Sequence, residues 1–135
     1  MALAEEHIFS RLSGFAGITA IVSTGIYPIR IPDGQALPAL TYLRVSSRRV
    51  ESMLGGTTAL CFARFQFDCW ARKYSTAKAL AEQVRLALQG YTGTVSGNTI
   101  FGVNFLNEVD LVDDDAQTFR TSADYLIHHN EDVPA

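Results

Sequence analysis

Apolar and polar side chains alternate along residues 61–71. The odd-numbered positions are all apolar, namely Cys61, Ala63, Phe65, Phe67, Cys69 and Ala71. Arg64, Gln66 and Asp68 lie between them. Successive side chains of a strand point to opposite faces of its sheet. The pattern therefore predicts a strand with one face in the core and the other in contact with water or a partner.

A helical period follows this strand. Apolar residues recur at spacings of three and four, at Ala77, Leu80, Ala81, Val84 and Leu88. This spacing predicts an amphipathic helix over residues 76–89. We expect Ser75 to cap its N-terminus and Gly90 to end it in a left-handed conformation. The strand and the helix, each with one apolar face, are expected to pack against each other.

The rest of the chain shows two more helical segments and four more extended ones. Residues 2–13 have a helical stripe. The apolar segment 15–22 is too short for periodicity to decide, and we favour a short helix over a strand because Gly14 and Gly25 bracket it. The extended segments are residues 26–31, 40–50, 101–111 and 117–128. The first of them belongs at a sheet edge, because Pro28 has no amide proton.

This order, with two hairpins on either side of one long helix, indicates an α+β fold. We expect a mainly antiparallel sheet of about four strands plus a short edge strand, with the helices packed on one face. The chain is expected to form a single domain over residues 1–135, in which residues 129–135 are a loose C-terminal tail.

The composition is that of a globular protein and disfavours a membrane-spanning or a strongly basic, nucleic-acid-binding one. Of the 135 residues, 47% are hydrophobic and 19% charged, and no apolar run reaches the roughly 20 residues of a membrane span. The first residues do not resemble a secretory leader, so synthesis and folding in the cytoplasm are expected. The net charge of -3 disfavours binding of nucleic acid through a general positive field.

The two cysteines are expected to be buried thiols. Cys61 and Cys69 lie on the same predicted strand, where about 26 Å would separate them. That distance excludes both a disulfide between them and a shared metal ion.

No arrangement typical of a catalytic or metal site occurs in the sequence. His128 and His129 are neighbours on a predicted strand and should point to opposite faces, so we do not expect them to bind one metal. The acidic run 113–115 lacks the glycine and the glutamate of a calcium loop and is expected to be a solvated turn. We therefore expect no catalytic residues, no cofactor and no metal.

Two other functional classes remain open. A small metal-dependent hydrolase or nuclease would need converging carboxylates, for which the candidates are Asp68, Glu108, Asp110 and Asp124. A ligand- or RNA-binding module would use Trp70 and Phe62 as a stacking surface beside the arginines of the strands.

Basic and acidic side chains share the predicted polar face of the sheet. Arg44, Arg48 and Arg64 are expected on two paired strands, within reach of acidic groups. Such a face is simply solvated in a monomer, whereas between subunits mixed charge sets register and partner choice. The candidate interface residues are Arg44, Arg48, Leu54, Arg64, Trp70 and Asp124.

Segments along nearly the whole chain resemble one protein family. They are Ile26-Tyr27-Pro28, Leu37-Pro38-Ala39-Leu40-Thr41-Tyr42, residues 64–71 and 74–81, and Phe119-Arg120 with Asp124-Tyr125. In this order and spacing they resemble the tail-completion proteins of long-tailed bacteriophages and prophages, which act as tail terminators or head-to-tail joining proteins.

The resemblance implies a structural role and no enzymatic activity. Such a protein completes the tail and joins it to the DNA-filled head, as a hexameric ring at the head-proximal end of the tail tube. The implied partners are further copies of the chain, the tail tube protein and the head-completion or connector protein, while DNA passes through without specific binding. The implied location is the virion, after synthesis in the bacterial host cytoplasm and without a membrane. A neck adaptor or another minor tail protein is the nearest alternative.

Two segments carry further hypotheses. The loop 51–58 is expected to order against a neighbouring subunit or the tail tube. Asp113, Asp114 and Asp115 are expected to line or border the channel, where acidic groups keep DNA from binding.

Overall fold

The computed structural model describes residues 1–50 and 58–132. Its elements, in chain order, are α1 (Ala4–Ser13), α2 (Ala16–Val22), β1 (Ile26–Pro28), β2 (Ala39–Val50), β3 (Thr58–Ala71), α3 (Tyr74–Leu88), β4 (Gly93–Val95), β5 (Asn98–Asp113) and β6 (Thr118–Asp132). Helices occur at the three places where the sequence predicted them, so those predictions are confirmed.

All six strands form one sheet, in the order β1-β2-β3-β6-β5-β4. β1 runs parallel to β2, and every other neighbouring pair is antiparallel. The predicted fold, an α+β sheet of about four mainly antiparallel strands plus a short edge strand, is therefore wrong. The molecule is mostly strand, and its sheet is six-stranded, mixed and curled.

Two short strands account for much of the difference. The loop after β1 returns the chain to the end of the sheet where β1 begins, so β1 lies parallel to Leu40–Tyr42 of β2. β4 pairs with the first three residues of β5 across Ser96 and Gly97. Both have positive φ, 47° and 85°, as in two-residue hairpin turns that match the twist of the flanking strands. The sequence predicted no strand in this segment.

The three helices cover one face of the sheet, here called the helix face. It carries the odd-numbered side chains of β3, and all six that the sequence assigned to the core are buried, which confirms that prediction. Phe65, Phe67 and Tyr125 are among the largest fully buried side chains of the core, together with Leu80 of α3 and Ile8 of α1. Burying one such side chain contributes about 1.5–3 kcal/mol. The opposite face, with the even-numbered side chains of β3, is called the open face.

A bulge in β2 exchanges its two faces part-way along. The register with β3 shifts between Arg44 and Ser46. Before the shift, Tyr42 lies opposite Phe67 and belongs to the core; after it, Arg48 lies opposite Phe62 on the open face. One extra residue moves every later side chain to the other face of the sheet.

β5 has two such shifts, between Ile100 and Gly102 and between Phe105 and Asn107. In the extended segment predicted over residues 101–111, the large apolar side chains at odd-numbered positions are Phe101, Val103, Phe105, Val109 and Leu111. Of these only Val103 is buried, and the other four are exposed.

α3 begins two residues before its predicted start. Its N-cap is Lys73 in an extended conformation, without a side-chain capping bond, so Ser75 is not the cap. Gly90 follows the helix with φ of 74°, which confirms the left-handed residue predicted there.

β6 continues beyond the point where the sequence placed a loose tail. It extends to Asp132, and its last residues pair with the first residues of β3. Backbone hydrogen bonds therefore order residues 129–132, although few of their side chains are buried. Residues 133–135 lie outside the described residues.

Candidate functional site

The open face is the first candidate functional surface, and its charges pair within the subunit. Arg64 on β3 donates from Nε to Asp124 Oδ2 on β6 over 2.9 Å. Next to this pair Gln66 donates to Asp68 Oδ1 over 3.0 Å and to Ser122 Oγ over 2.9 Å. Asp68 is only 5% exposed, so this network fixes a buried carboxylate in place.

Trp70 lies at one end of the open face, near the end of β3. Its Nε1 donates to Thr41 Oγ1 over 3.0 Å, and the guanidinium of Arg120 lies 4.8 Å from its ring centroid. Leu111 and Asp113 border the same depression. Trp70 is half-buried, so it offers an amphipathic surface of the kind enriched at protein interfaces.

The sequence prediction that Arg44, Arg48 and Arg64 share one face is wrong for Arg44. The β2 bulge leaves Arg44 on the helix face, where it donates to Glu5 Oε1 of α1 over 2.9 Å and lies 5.1 Å from the Phe65 ring centroid. Arg48 is on the open face and exposed. Leu54, and the predicted loop 51–58 apart from the backbone of residue 58, lie outside the described residues.

The four carboxylates of the hydrolase hypothesis do not converge. Glu108 and Asp110 lie on the helix face, where Lys78 of α3 contacts both over 3.2 Å. Tyr74 donates to Asp110 Oδ2 over 2.8 Å and thereby lowers the pKa of that carboxyl. Asp68 and Asp124 are on the other side of the sheet. Within residues 1–50 and 58–132, no group of three His, Cys, Asp or Glu residues is arranged to hold a metal ion.

The acidic run forms the turn between β5 and β6. Asp113 is the last residue of β5, and its Oδ1 accepts a hydrogen bond from Ala116 N over 3.2 Å. Arg72 donates to the carbonyl of Ala116 over 3.2 Å and ties the turn to the end of β3. Asp113, Asp114 and Asp115 are all exposed. The expected solvated turn is therefore confirmed.

The outer part of β5 is a surface that the sequence did not reveal. Five large apolar side chains are exposed there, namely Phe105, Leu106, Val109, Leu111 and Val112. An alternating pattern normally assigns such residues to a core, and the register shift between Phe105 and Asn107 moves Val109 and Leu111 to the open face. Gly102 and Asn107, which adjoin the shifts, are a weak signal of irregular pairing.

Comparisons with known proteins give one family and one similar fold. The family model described as tail completion protein gp17 matches residues 6–129. A chain in the virion of a native gene transfer agent particle is similar in structure, with a TM-score of 0.66, 21% identity and 92% of each chain covered. No curated protein matches the chain.

The structural similarity shows a shared fold, and the family match confirms the resemblance drawn from the sequence. In the part of the chain that the structure describes, no helix has both the length and the apolar character needed to cross a membrane. Since the family model spans most of its length, the chain belongs to the tail completion protein gp17 family.

Proposed function

We propose that this tail completion protein acts as a ring of identical copies, a hexamer, at the head-proximal end of the tail. There it joins the tail tube protein to the connector of the DNA-filled head, and DNA passes through without specific binding. The observation that carries the proposal is the family match over residues 6–129. A neck adaptor or another minor tail protein is the alternative.

The surfaces of the subunit support assembly into a ring. One core lies between the helices and the helix face, whereas the open face and the outer part of β5 are left uncovered. A closed ring requires two different patches on each copy that complement each other. Arg48, Arg64, Trp70 and Asp124 of the open face are proposed to lie at contacts with a neighbouring copy or the tail tube.

The acidic turn is proposed to border the channel. It sits at the tip of the β5–β6 hairpin with three exposed carboxylates, and these repel the phosphates of passing DNA. A lining of this kind lets DNA move without being held.

The function is structural and not enzymatic under this proposal. A structural component is consumed in fixed proportion, so the yield of joined particles should rise linearly with added chain until the tails are saturated. Joining by amounts far below one ring per tail would contradict this.

An order-of-addition experiment tests the role. Phage lacking the gene should accumulate separate filled heads and tails. We expect that tails incubated with purified chain and then repurified become able to join heads, as counted by electron microscopy. Heads treated in the same way should remain inactive.

The controls separate the alternatives. If treated heads and not treated tails become competent, the protein is a neck adaptor. If particles lacking the gene join normally, the chain has no role in joining.

A further inference from the structure

We propose that neighbouring copies in the assembly join through the edges of their sheets, β5 of one copy pairing with β2 of the next. This inference rests on the proposed ring and specifies its contact. It concerns backbone edges, which are distinct from the open-face side chains considered above.

The edge of β5 is exposed over most of its length. β4 covers only Asn98–Ile100, and Gly90 N donates to the carbonyl of Val103 over 3.0 Å. From residue 104 to residue 113, no described strand pairs with the outer side of β5. Unpaired backbone groups in a row are a template for another strand.

The side chains of this edge are apolar to an unusual degree for an exposed strand. Leu111 is 42% exposed and Val112 56%, and Phe105, Leu106 and Val109 fall between these values. Monomeric proteins usually protect such edges with charged side chains, especially lysine, with proline, with bulges or with a covering segment. β5 has two bulges and three acidic residues but neither lysine nor proline, and five large apolar side chains stay exposed along it, so we infer that a strand of another copy covers it.

β2 offers a second open edge at the other end of the sheet order. β1 covers Leu40–Tyr42, and Ile29 N donates to the carbonyl of Tyr42 over 2.9 Å. From residue 43 to residue 50, no described strand lies on the outer side of β2. Val45 and Val50 are exposed along this part.

The two edges carry opposite charges. β2 contains Arg44, Arg48 and Arg49 and no acidic residue, whereas β5 contains Glu108, Asp110 and Asp113 and no Lys or Arg. Part of this charge is paired internally, by the contacts Arg44–Glu5, Arg49–Glu131 and Lys78 with Glu108 and Asp110.

This distribution favours contact between unlike edges. Arg48 of β2 and Asp113 of β5 take part in none of these ion pairs, and like charges facing each other across paired strands are destabilising, so unlike edges are favoured over two like ones. A β5–β2 contact is head-to-tail and repeats from copy to copy, as a ring requires.

The directions and levels of the strands define the contact further. β2 and β5 run in opposite directions within the sheet, so a continued sheet pairs them antiparallel. Through the registers, residues 108–110 of β5 lie level with the covered residues Leu40–Tyr42 of β2, whereas residues 104–107 lie level with its open part. An offset along the strands is therefore needed to bring the whole open length of the two edges together. Such an offset tilts the strands, as in closed barrels.

Two edge variants test the contact. Val109→Lys with Leu111→Lys blocks β5, and Val45→Glu with Val50→Glu blocks β2. All four residues are exposed, so we expect the fold to be unchanged by circular dichroism and by melting temperature. Leu3→Lys with Leu86→Lys is the matched control, since both leucines are exposed and lie outside β2 and β5. The readout is native mass by light scattering across a range of concentrations.

We expect the wild type and the control to assemble, and each edge variant to need at least a tenfold higher concentration. An equimolar mixture of the two edge variants should recover association, because each keeps one native edge. That recovery also shows that both variants are folded.

Three results would overturn the edge contact. They are assembly of either variant at the wild-type concentration, failure of the mixture to associate, and a wild type that stays monomeric at its highest attainable concentration. Any of these leaves the proposed function standing if treated tails still join heads. Conversely, if the chain assembles normally but treated tails fail to join heads, the proposed function is refuted and the edge contact stands.

Discussion

His129 has a buried imidazole with the charged side chains of Arg44, Glu131 and Glu5 nearby. It lies on β6 between Cys61 of β3 and Ile100 of β5, and its Nδ1 is 2.9 Å from the carbonyl oxygen of Asn130. Its Nε2 has no hydrogen-bond partner among the described residues. Burial lowers the pKa of His129, and the nearby charges of Arg44, Glu131 and Glu5 modify it further.

We predict that His129 makes the fold acid-sensitive. Below about pH 6.5 the imidazole of the unfolded chain takes up a proton, while the buried one stays neutral. The unfolded state then binds more protons, so the free energy of unfolding falls as pH decreases, by up to about 1.4 kcal/mol per pH unit for one proton. His129→Asn should remove this component. Urea unfolding of both proteins between about pH 8 and pH 5 measures it.

His128→Asn is the matched control for His129→Asn. It removes an imidazole from the same strand, but on the open face, where the ring packs against Phe62 with centroids 4.6 Å apart. If wild type and His129→Asn lose stability in parallel on acidification, the buried imidazole is not the cause.

Individual side chains were predictable only where pairing is regular. β3 has an unbroken register with β6, and its alternation placed all six core residues correctly. On β2 and β5 one extra residue reverses the faces, and the energy that selects a bulge comes from contacts distant in sequence. The position of Arg44 beside Glu5 depends on such contacts.

At the scale of elements, the end of α3 connects the helix to the sheet. Gly90 adopts a φ of 74° and donates from its amide to Val103 on β5. A Cβ added at Gly90 would meet no atom within 4 Å, and the same is true of Gly102. These two glycines therefore differ in backbone conformation and not in available space.

We predict opposite outcomes for alanine at these glycines. Gly90→Ala should destabilise the fold by about 1–2 kcal/mol, because a side chain disfavours the left-handed conformation. Gly102→Ala should be neutral or stabilise by up to about 1 kcal/mol, because it only reduces the entropy of the unfolded chain. Chemical denaturation of both variants gives the difference. Equal effects would show that the φ of Gly90 does not limit stability.

Helices were predictable as elements and the sheet was not. An apolar stripe at helical spacing is a local signal, and α1 and α3 each have one, whereas the flanking glycines Gly14 and Gly25 favoured a helix for α2. The parallel pairing of β1 with β2 and the short strand β4 depend on where the chain returns, so the local pattern did not contain them. Counting only long alternating segments gave too few strands.

At the scale of the whole molecule, the resemblance identified the family correctly, but the surfaces for assembly had to come from the structure. A register shift moves Val109 and Leu111 of the apolar β5 edge to the open face, and the acidic charge of this edge matters only opposite the arginines of β2. The acidic turn at the tip of the β5–β6 hairpin is the other feature that acquires a role only in an assembly.

The channel role of that turn leads to a prediction about DNA passage. Replacing Asp113, Asp114 and Asp115 with lysine should make assembled particles retain DNA, because lysine binds DNA phosphates. Each new lysine–phosphate contact steepens the plot of log binding constant against log salt concentration by about 0.9. Replacement with asparagine should have a smaller effect, because it removes repulsion without adding attraction. The measurement is the rate of DNA release from joined particles as a function of salt.

The control for this prediction has the same change in net charge at another place. Glu6, Asp33 and Glu82 are acidic and lie outside the turn, and replacing them with lysine shifts the total charge equally. If the channel is bordered by the acidic turn, only the turn variant slows release, and added salt restores the rate because it screens the contacts. Equal slowing by both triple variants would mean that total charge matters and that the turn lies away from the DNA.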